Sequence, residues 1–216
     1  MKGWKAGESQ AAKLLEQWWG LKFFRTPGSG SMATSRVDSL PPSIVASMRG
    51  DIICDLQDES LSQDVRFPFV VEVKAYAKID LYALLRRGSF EILPGTKAKG
   101  ESDLWICWYQ AKKEAFTGRR WPLLLFKEDR KPWYVAFYNE QSFAKTITSC
   151  GADALFFQDM AIMLWDTFAS TFPRSIVEEF ARLAIDKEGQ VLAHPRHWAE
   201  PPDDTIDPTF ILGKRR

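Results

Sequence analysis

Two acidic residues and a lysine lie on two apolar segments that read as neighbouring strands. The segments are DIICDL at 51–56 and FPFVVEVKAY at 67–76, and ten mostly polar residues separate them. If the segments form a hairpin across those ten residues, Asp51 lies directly opposite Glu72 and on the same face of the sheet. Lys74 shares that face, because side chains two residues apart on a strand point the same way.

This trio has the chemistry needed for metal-assisted hydrolysis of a phosphodiester. Two carboxylates so close repel each other unless a cation lies between them. Their oxygens suit Mg²⁺ or Mn²⁺. The amine of Lys74 could orient a metal-bound water or stabilise charge that develops on a phosphate. The competing interpretation is an ion-pair ladder on an exposed sheet face.

The apolar residues on the opposite face of the two strands predict that this face packs against a core. These residues are Ile52, Cys54, Leu56, Phe67, Phe69, Val71 and Val73.

An amphipathic helix is predicted over residues 7–19, ended by Gly20. Glu8 lies in its first turn, on the same side as the apolar residues that should face the sheet. Two interpretations stay open for Glu8: an acid favoured by the helix dipole, or a further acidic group at the metal site.

A glycine- and serine-rich loop is predicted after the strand LKFFRT (21–26). It begins with RTPGSGS at 25–31 and continues to residue 48. A basic residue, hydroxyls and small residues suit an anion, but no Gly-Lys-Ser/Thr follows, so the loop is not a nucleotide-binding P-loop. Loops of this length are usually functional or mobile.

The remaining pattern predicts a mixture of helices and strands. We expect a short helix at 79–87, helices at 103–117 and 173–185, strands at 121–127 and 133–138, and an irregular tail. Residues 154–170 are apolar with helical or strand character.

The motifs resemble a known superfamily of nucleases. Asp followed by Glu-x-Lys, here RGDII and VVEVKAY, resembles the signature of the PD-(D/E)xK nucleases. The ordered series GES, FFRTPGSGS, RGDII, VVEVKAY, WYQAKKEA and PLLLFK is similar to archaeal-type Holliday junction resolvases and their phage-encoded relatives, over about residues 5–138. Gly50 stands where that family usually has proline, and the connection between Asp51 and Glu72 is longer than in its compact members.

The resemblance implies an α/β fold: a restriction-endonuclease-like central mixed β-sheet flanked by helices. A nuclease domain is expected over residues 1–140. Residues 141–216 are expected to form a C-terminal helical extension and tail, packed on the same core or at a dimer interface.

The resemblance also implies an activity and a set of site residues. The activity is Mg²⁺-dependent cutting of four-way DNA junctions, with Mn²⁺ expected to substitute, by a homodimer because resolution needs two symmetric cuts. The implied metal site comprises Asp51, Glu72, the carbonyl of Val73 and Glu8, and the implied catalytic set adds Lys74 and Ser31. The implied DNA contacts are Arg25, Ser29, Ser31, Gln110 and Lys127. For Gln110 a helix-surface position, and for Lys127 a merely solubilising role at a strand end, stay open as well. Two alternatives stay open: a restriction or repair nuclease acting on other DNA, and a DNA-binding module without catalysis.

Composition and charge fit these expectations without deciding between them. Residues 1–138 carry a net charge of +5 and residues 139–216 one of −4, which together give the +1 of the chain. A basic first part could meet a polyanion. No apolar stretch approaches the length of a membrane span, and three cysteines without paired spacing suggest reduced thiols. We therefore expect a cytoplasmic protein without a membrane partner, in the host cytoplasm if it is phage-encoded.

Overall fold

One mixed β-sheet with helices on both faces organises the chain. The structure, a computed structural model, describes residues 3–26, 49–54, 67–76, 78–79, 103–118 and 120–184. Within these ranges the strands are β1 (Phe23–Arg25), β2 (Ile52–Cys54), β3 (Phe69–Tyr76), β4 (Trp121–Glu128), β5 (Trp133–Tyr138), β6 (Leu155–Phe157) and β7 (Met160–Leu164). The helices are α1 (Gly3–Trp19), α2 (Asp103–Gly118), α3 (Gln141–Cys150), α4 (Trp165–Thr171) and α5 (Arg174–Ala184). The predicted α/β class and mixed sheet are confirmed.

The seven described strands lie in the order β1-β2-β3-β4-β5-β7-β6. The pairing of β3 with β4 is parallel, and the other described pairings are antiparallel. A parallel pair needs a crossover connection, and α2 lies on the connection between β3 and β4. The long central strands β3 and β4 are therefore paired on both sides, while β1 and β6 form the edges.

Helix α1 covers one face of the sheet. Its residues Ala11, Leu15 and Trp19 recur at helical spacing and are buried against that face. The sheet contributes every second residue of β3 and β4 to the same core: Phe69, Val71, Val73, Leu123 and Leu125. Aromatic rings of α3, of α4 and of the residue that directly follows α4 complete this core, with Phe143, Phe168 and Phe172 packed around Phe137.

Helix α2 covers the opposite face. Its apolar side includes Leu104, Trp108 and Ala111, which pack against Leu124 and Phe126 of β4. Because strand side chains alternate between faces, the residues of β3 that point toward α2 are those between the members of the α1 core. Glu72 and Lys74 are two of these residues.

The predicted strand register and core face are confirmed. Ile52 pairs with Val71, which is the register that sets Asp51 opposite Glu72. Ile52, Phe67, Phe69, Val71 and Val73 all belong to the α1-side core, and Cys54 packs against it. Leu56, predicted on the same face, lies outside the described residues, as do nearly all of the predicted helix 79–87 and the irregular tail.

The chain beyond residue 140 adds strands as well as helices. Three helices follow, as expected of a helical extension, but β7 pairs with β5 along its whole length and β6 pairs with β7. The apolar run MAIML is too short for its spacing to separate a buried strand from a helix. The sheet therefore continues across residue 140, and the division into 1–140 and 141–216 stays a prediction.

No helix within the described ranges is long and apolar enough to cross a bilayer.

The packing of α1 on the sheet yields a prediction about stability. Leu15 is fully buried in the α1-side core, so Leu15→Ala should lower the free energy of unfolding by about 2–5 kcal/mol through lost burial and a residual cavity. Urea denaturation of both proteins measures this difference. Gln17→Ala, at an exposed position of the same helix, is the matched control and should change stability by less than about 0.5 kcal/mol. Equal losses in the two variants would contradict the packing described here.

Candidate active site

Asp51 is fastened to β3 by its main chain and its side chain. Its N–H donates to the carbonyl of Val71 at 2.7 Å, and its Oδ2 accepts from the N–H of Val73 at 2.9 Å. On its other side, the carbonyl of Asp51 accepts from the N–H of Thr26 at 2.9 Å. These three bonds fix the carboxylate beside β3 and leave Oδ1 available for another partner.

Gly50 permits this close approach of the chain to β3. Its φ of +86° lies in the left-handed region, and a Cβ there would stand 2.5 Å from the carbonyl oxygen of Val71. Proline, which the resemblance would favour here, fixes φ near −65° and could not adopt this conformation. The hydroxyl of Thr26 donates to the Gly50 carbonyl at 2.7 Å. The glycine is therefore required by the route of the backbone into Asp51.

Glu72 and Lys74 form a close ion pair on the α2 side of β3. The Nζ of Lys74 lies 2.5 Å from Oε1 of Glu72, and the Glu72 residue is only 3% exposed. Burial, assisted by the Asp51 carboxylate, raises the pKa of Glu72 to about 7 against the opposing effect of Lys74. For Lys74, burial acts to lower the pKa, but the Glu72 and Asp51 carboxylates outweigh it and the pKa is raised. The pair therefore keeps Lys74 charged beside two acidic groups.

Two residues beside the trio have no predicted role: Glu114 on α2, and Arg49, which precedes Gly50. Glu114 is close enough that its carboxylate contributes to the raised pKa of Glu72. Arg49 donates from Nη1 to Oε2 of Glu114 at 3.2 Å. Both residues belong to motifs given above, Arg49 to RGDII and Glu114 to WYQAKKEA. Their pairing spans 65 positions of sequence and has no local signal.

Glu8 pairs with Arg25 on the other side of the sheet. Oε2 of Glu8 accepts from Nε of Arg25 at 2.5 Å, with the Glu8 side chain 6% and the Arg25 side chain 35% exposed. Arg25 pairs in register with Ile52, a member of the α1-side core, so this ion pair lies toward α1. The structure thus brings Glu8 to Arg25, whereas Glu72 and Lys74 point toward α2.

The remaining predicted residues are distributed around this centre. Lys127 lies on β4, with Nζ 3.5 Å from Oε1 of Gln10 and 5.4 Å from the centroid of the Trp133 ring. Gln110 is exposed on α2, one turn before Glu114. Ser29 and Ser31 lie outside the described residues.

The oxygens that surround Asp51 and Glu72 suit a hard divalent cation. The described residues contain no cluster of three or more histidine, cysteine, aspartate or glutamate side chains that could hold a metal. Within the described ranges, oxygen donors beside Asp51 are two carboxylates, each with one oxygen not used in the bonds above, and the main-chain carbonyl of Val73. Mg²⁺ is commonly held by one or two carboxylates and keeps several waters. Burial and the Asp51 carboxylate raise the pKa of Glu72, and a cation between the carboxylates would favour its charged form.

A mixed sheet covered by helices, with an aspartate at the start of one strand and a glutamate and a lysine on the neighbouring central strand, is the arrangement of a PD-(D/E)xK nuclease. The chain belongs to the family described as "Phage putative PDDEXK endonuclease", whose model matches residues 1–178. It is also similar to Protein D14 of Escherichia phage T5, with 28% identity over 160 residues, covering 74% of this chain and 84% of that protein. No solved structure matches the chain. The predicted resemblance to this superfamily and to phage-encoded relatives is confirmed.

The route of the chain through Gly50 can be tested by adding one methyl group. Gly50→Ala should destabilise the protein by more than the roughly 1–2 kcal/mol that a left-handed backbone costs an L-residue, because the new Cβ also meets the Val71 carbonyl. Gly151→Ala is the matched control: its φ is +63°, but a Cβ there meets nothing within 4 Å. Urea denaturation compares the two variants. A Gly50→Ala loss no larger than that of Gly151→Ala would contradict the close approach.

The burial of Glu72 predicts how stability depends on pH without metal. Between the ordinary value of 4.5 and a folded pKa of about 7, the folded carboxyl keeps a proton that the unfolded chain releases, so this group's contribution to stability falls as pH rises. In Glu72→Gln the side chain cannot ionise, so this pH-dependent loss of stability is absent. In EDTA, its free energy of unfolding relative to the wild type should therefore increase from about pH 4.5 to 7 and level off above. A difference independent of pH would contradict the assigned burial.

Proposed function

We propose that the protein is a Mg²⁺-dependent endonuclease that cuts four-way DNA junctions, in the manner of a Holliday junction resolvase. The observation that carries the proposal is the placement of Asp51 beside Glu72, with Lys74 in contact with Glu72, in a chain of the PD-(D/E)xK endonuclease family. Preference for junctions is supported by the ordered motifs from GES to PLLLFK. We expect Mn²⁺ to substitute for Mg²⁺, because both accept carboxylate and water oxygens.

The proposed chemistry divides the trio into metal ligands and a positioned amine. Asp51, Glu72 and the carbonyl of Val73 would hold the divalent cation, which when bound supplies Lewis acidity and a more acidic water. Lys74 has three N–H donors, and one is used by Glu72. The others can orient the attacking water or donate to a phosphate oxygen as negative charge develops there. Burial of Glu72 strengthens these interactions, because the local dielectric is lower than that of water.

The proposed DNA contacts come from several parts of the chain. Arg25 would donate to a phosphate, and the exposed third of its side chain supports this role. Ser29 and Ser31, which follow in the sequence, would hold the scissile or adjacent phosphate, with Ser31 assisting cleavage. Gln110 and Lys127 complete the proposed set. We propose that Glu8 assists at the metal; because it lies toward α1, away from Glu72 and Lys74, it would act through the Arg25 guanidinium that it holds in place.

Resolution of a four-way junction needs two symmetric cuts. We therefore propose that the protein acts as a homodimer with one active site in each subunit, in the cytoplasm, and in that of the host if it is phage-encoded. Analytical ultracentrifugation with and without a synthetic junction tests the assembly.

A cleavage assay tests the proposed activity. Purified protein with Mg²⁺ should convert synthetic four-way junctions into paired nicked linear duplexes and should cut flap and linear duplex DNA at least about 100-fold more slowly, as expected if junction shape carries the specificity. Glu72→Ala should lose cleavage yet still bind junctions in a gel-shift assay, because it removes a metal ligand and not a phosphate contact. Glu179→Ala, at an exposed site on α5, is the control and should cut like the wild type.

The same assay distinguishes the alternatives. Equal cutting of plain duplex would reject the junction preference and favour a restriction or repair nuclease of the same family. Binding without cutting under Mg²⁺ and Mn²⁺ would favour a DNA-binding module.

A further inference from the structure

An ion pair ties the segment that carries Asp51 to the helix that covers Glu72. Arg49 precedes Gly50 and Asp51, and its Nη1 donates to Oε2 of Glu114 on α2 at 3.2 Å. The two side chains are 21% and 29% exposed, so the pair is mostly sheltered from solvent. Sheltered pairs are screened less than surface pairs and hold their geometry better.

The guanidinium of Arg49 is partly buried, unlike that of an arginine that only adds charge to an exposed surface. Its Nε is buried and has no hydrogen-bond partner within the described part of the chain. The polar contact that the described residues give this side chain is the bond from its Nη1 to Glu114.

The other hydrogen bonds described for the Asp51 segment are to β3 and to Thr26 at the end of β1. Its main chain is bonded to Val71 on β3 and to Thr26 at the end of β1. These bonds set the distance to β3 but do not connect the segment to α2. The ion pair of Arg49 supplies the connection to α2, because Glu114 projects from α2 toward the face on which Glu72 lies.

We propose that Arg49 is a positioning residue: its ion pair with Glu114 locks the Arg49–Asp51 segment onto α2 and so sets where the Asp51 carboxylate stands relative to Glu72. The proposal rests on the proposed function, since it assumes that Asp51 and Glu72 share a divalent cation. It assigns to Arg49 no contact with DNA or with the metal.

Electrostatics and positioning predict opposite signs for the loss of Arg49. Arg49 neutralises Glu114, whose carboxylate acts on Glu72, so by Coulomb attraction alone its removal would tighten cation binding. If Arg49 instead holds Asp51 in place, its removal should weaken cation binding, as loss of a group that orients a metal ligand commonly does by 10- to 100-fold. The direction of the change is therefore decisive.

The experiment measures Mn²⁺ binding to the full chain by isothermal titration calorimetry, without DNA. Arg49→Met keeps much of the apolar stem and should raise the Kd for Mn²⁺ at least about 10-fold. Lys112→Met is the matched control, since it breaks a similarly sheltered ion pair of the same helix, that of Lys112 with Asp159, and should leave the Kd within about 3-fold of the wild type. The charge-reversed double variant Arg49→Glu/Glu114→Arg should recover most of the affinity lost by Arg49→Glu alone.

The outcomes separate this proposal from the proposed function. An unchanged or tighter Kd for Arg49→Met, or a double variant no better than Arg49→Glu, would overturn the positioning role while leaving the metal site intact. A wild-type protein that binds no Mn²⁺ would overturn both. Thermal unfolding of each variant without metal identifies misfolding; should Arg49→Met misfold, Arg49→Lys replaces it. Lysine can reach Glu114 with fewer donors, and an intermediate Kd is then expected, with a wild-type Kd counting against the proposal.

Discussion

The attachment of Asp51 to β3 is the constraint on which the site depends. One hydrogen bond from its N–H to Val71 and one from the N–H of Val73 to its carboxylate fix both the register of β2 and the direction of the acidic group. Side chains alternate along a strand, so a slip of one residue would turn Asp51 away from Glu72 and bury it in the α1-side core. Gly50 is needed for the same reason, since only a residue without Cβ can bring the chain this close to the Val71 carbonyl.

A buried glutamate can be kept at this position because β3 is a central strand. It is paired with β2 on one side and with β4 along eight residues on the other, and its apolar neighbours Val71 and Val73 pack under α1. This framework holds Glu72 beside Asp51 although both burial and the second carboxylate oppose its ionisation. Lys74 offsets part of that opposition. The packing of the core therefore offsets the cost of holding Glu72 beside Asp51.

The sequence predicted those parts of the fold that depend on a periodic residue pattern or on segments close together in the chain. The alternation in FPFVVEVKAY and the length of the connection to DIICDL were enough to give the register Ile52–Val71 and the core face. Residues Met160–Leu164 were ambiguous because a short apolar run fits a strand or a helix equally well. Glu8 was correctly expected on the buried side of α1, but its contact with Arg25 depends on how β1 lies in the sheet. The pairing of Arg49 with Glu114 depends on the crossover between β3 and β4, which no local pattern specifies.

The two helical layers restrict how a substrate can approach. Helix α1 carries Glu8 and covers the face toward which Arg25 points, and α2 covers the face of Glu72 and Lys74, so within the described part of the chain neither group lies on an open sheet face. Asp51, which stands opposite Glu72, is joined to the end of β1, where Thr26 bonds to both Gly50 and Asp51. Because Arg25 directly precedes Thr26, the proposed phosphate contact and the proposed metal ligand are held by the same short strand pairing. A change in the position of β1 would therefore displace the two groups together.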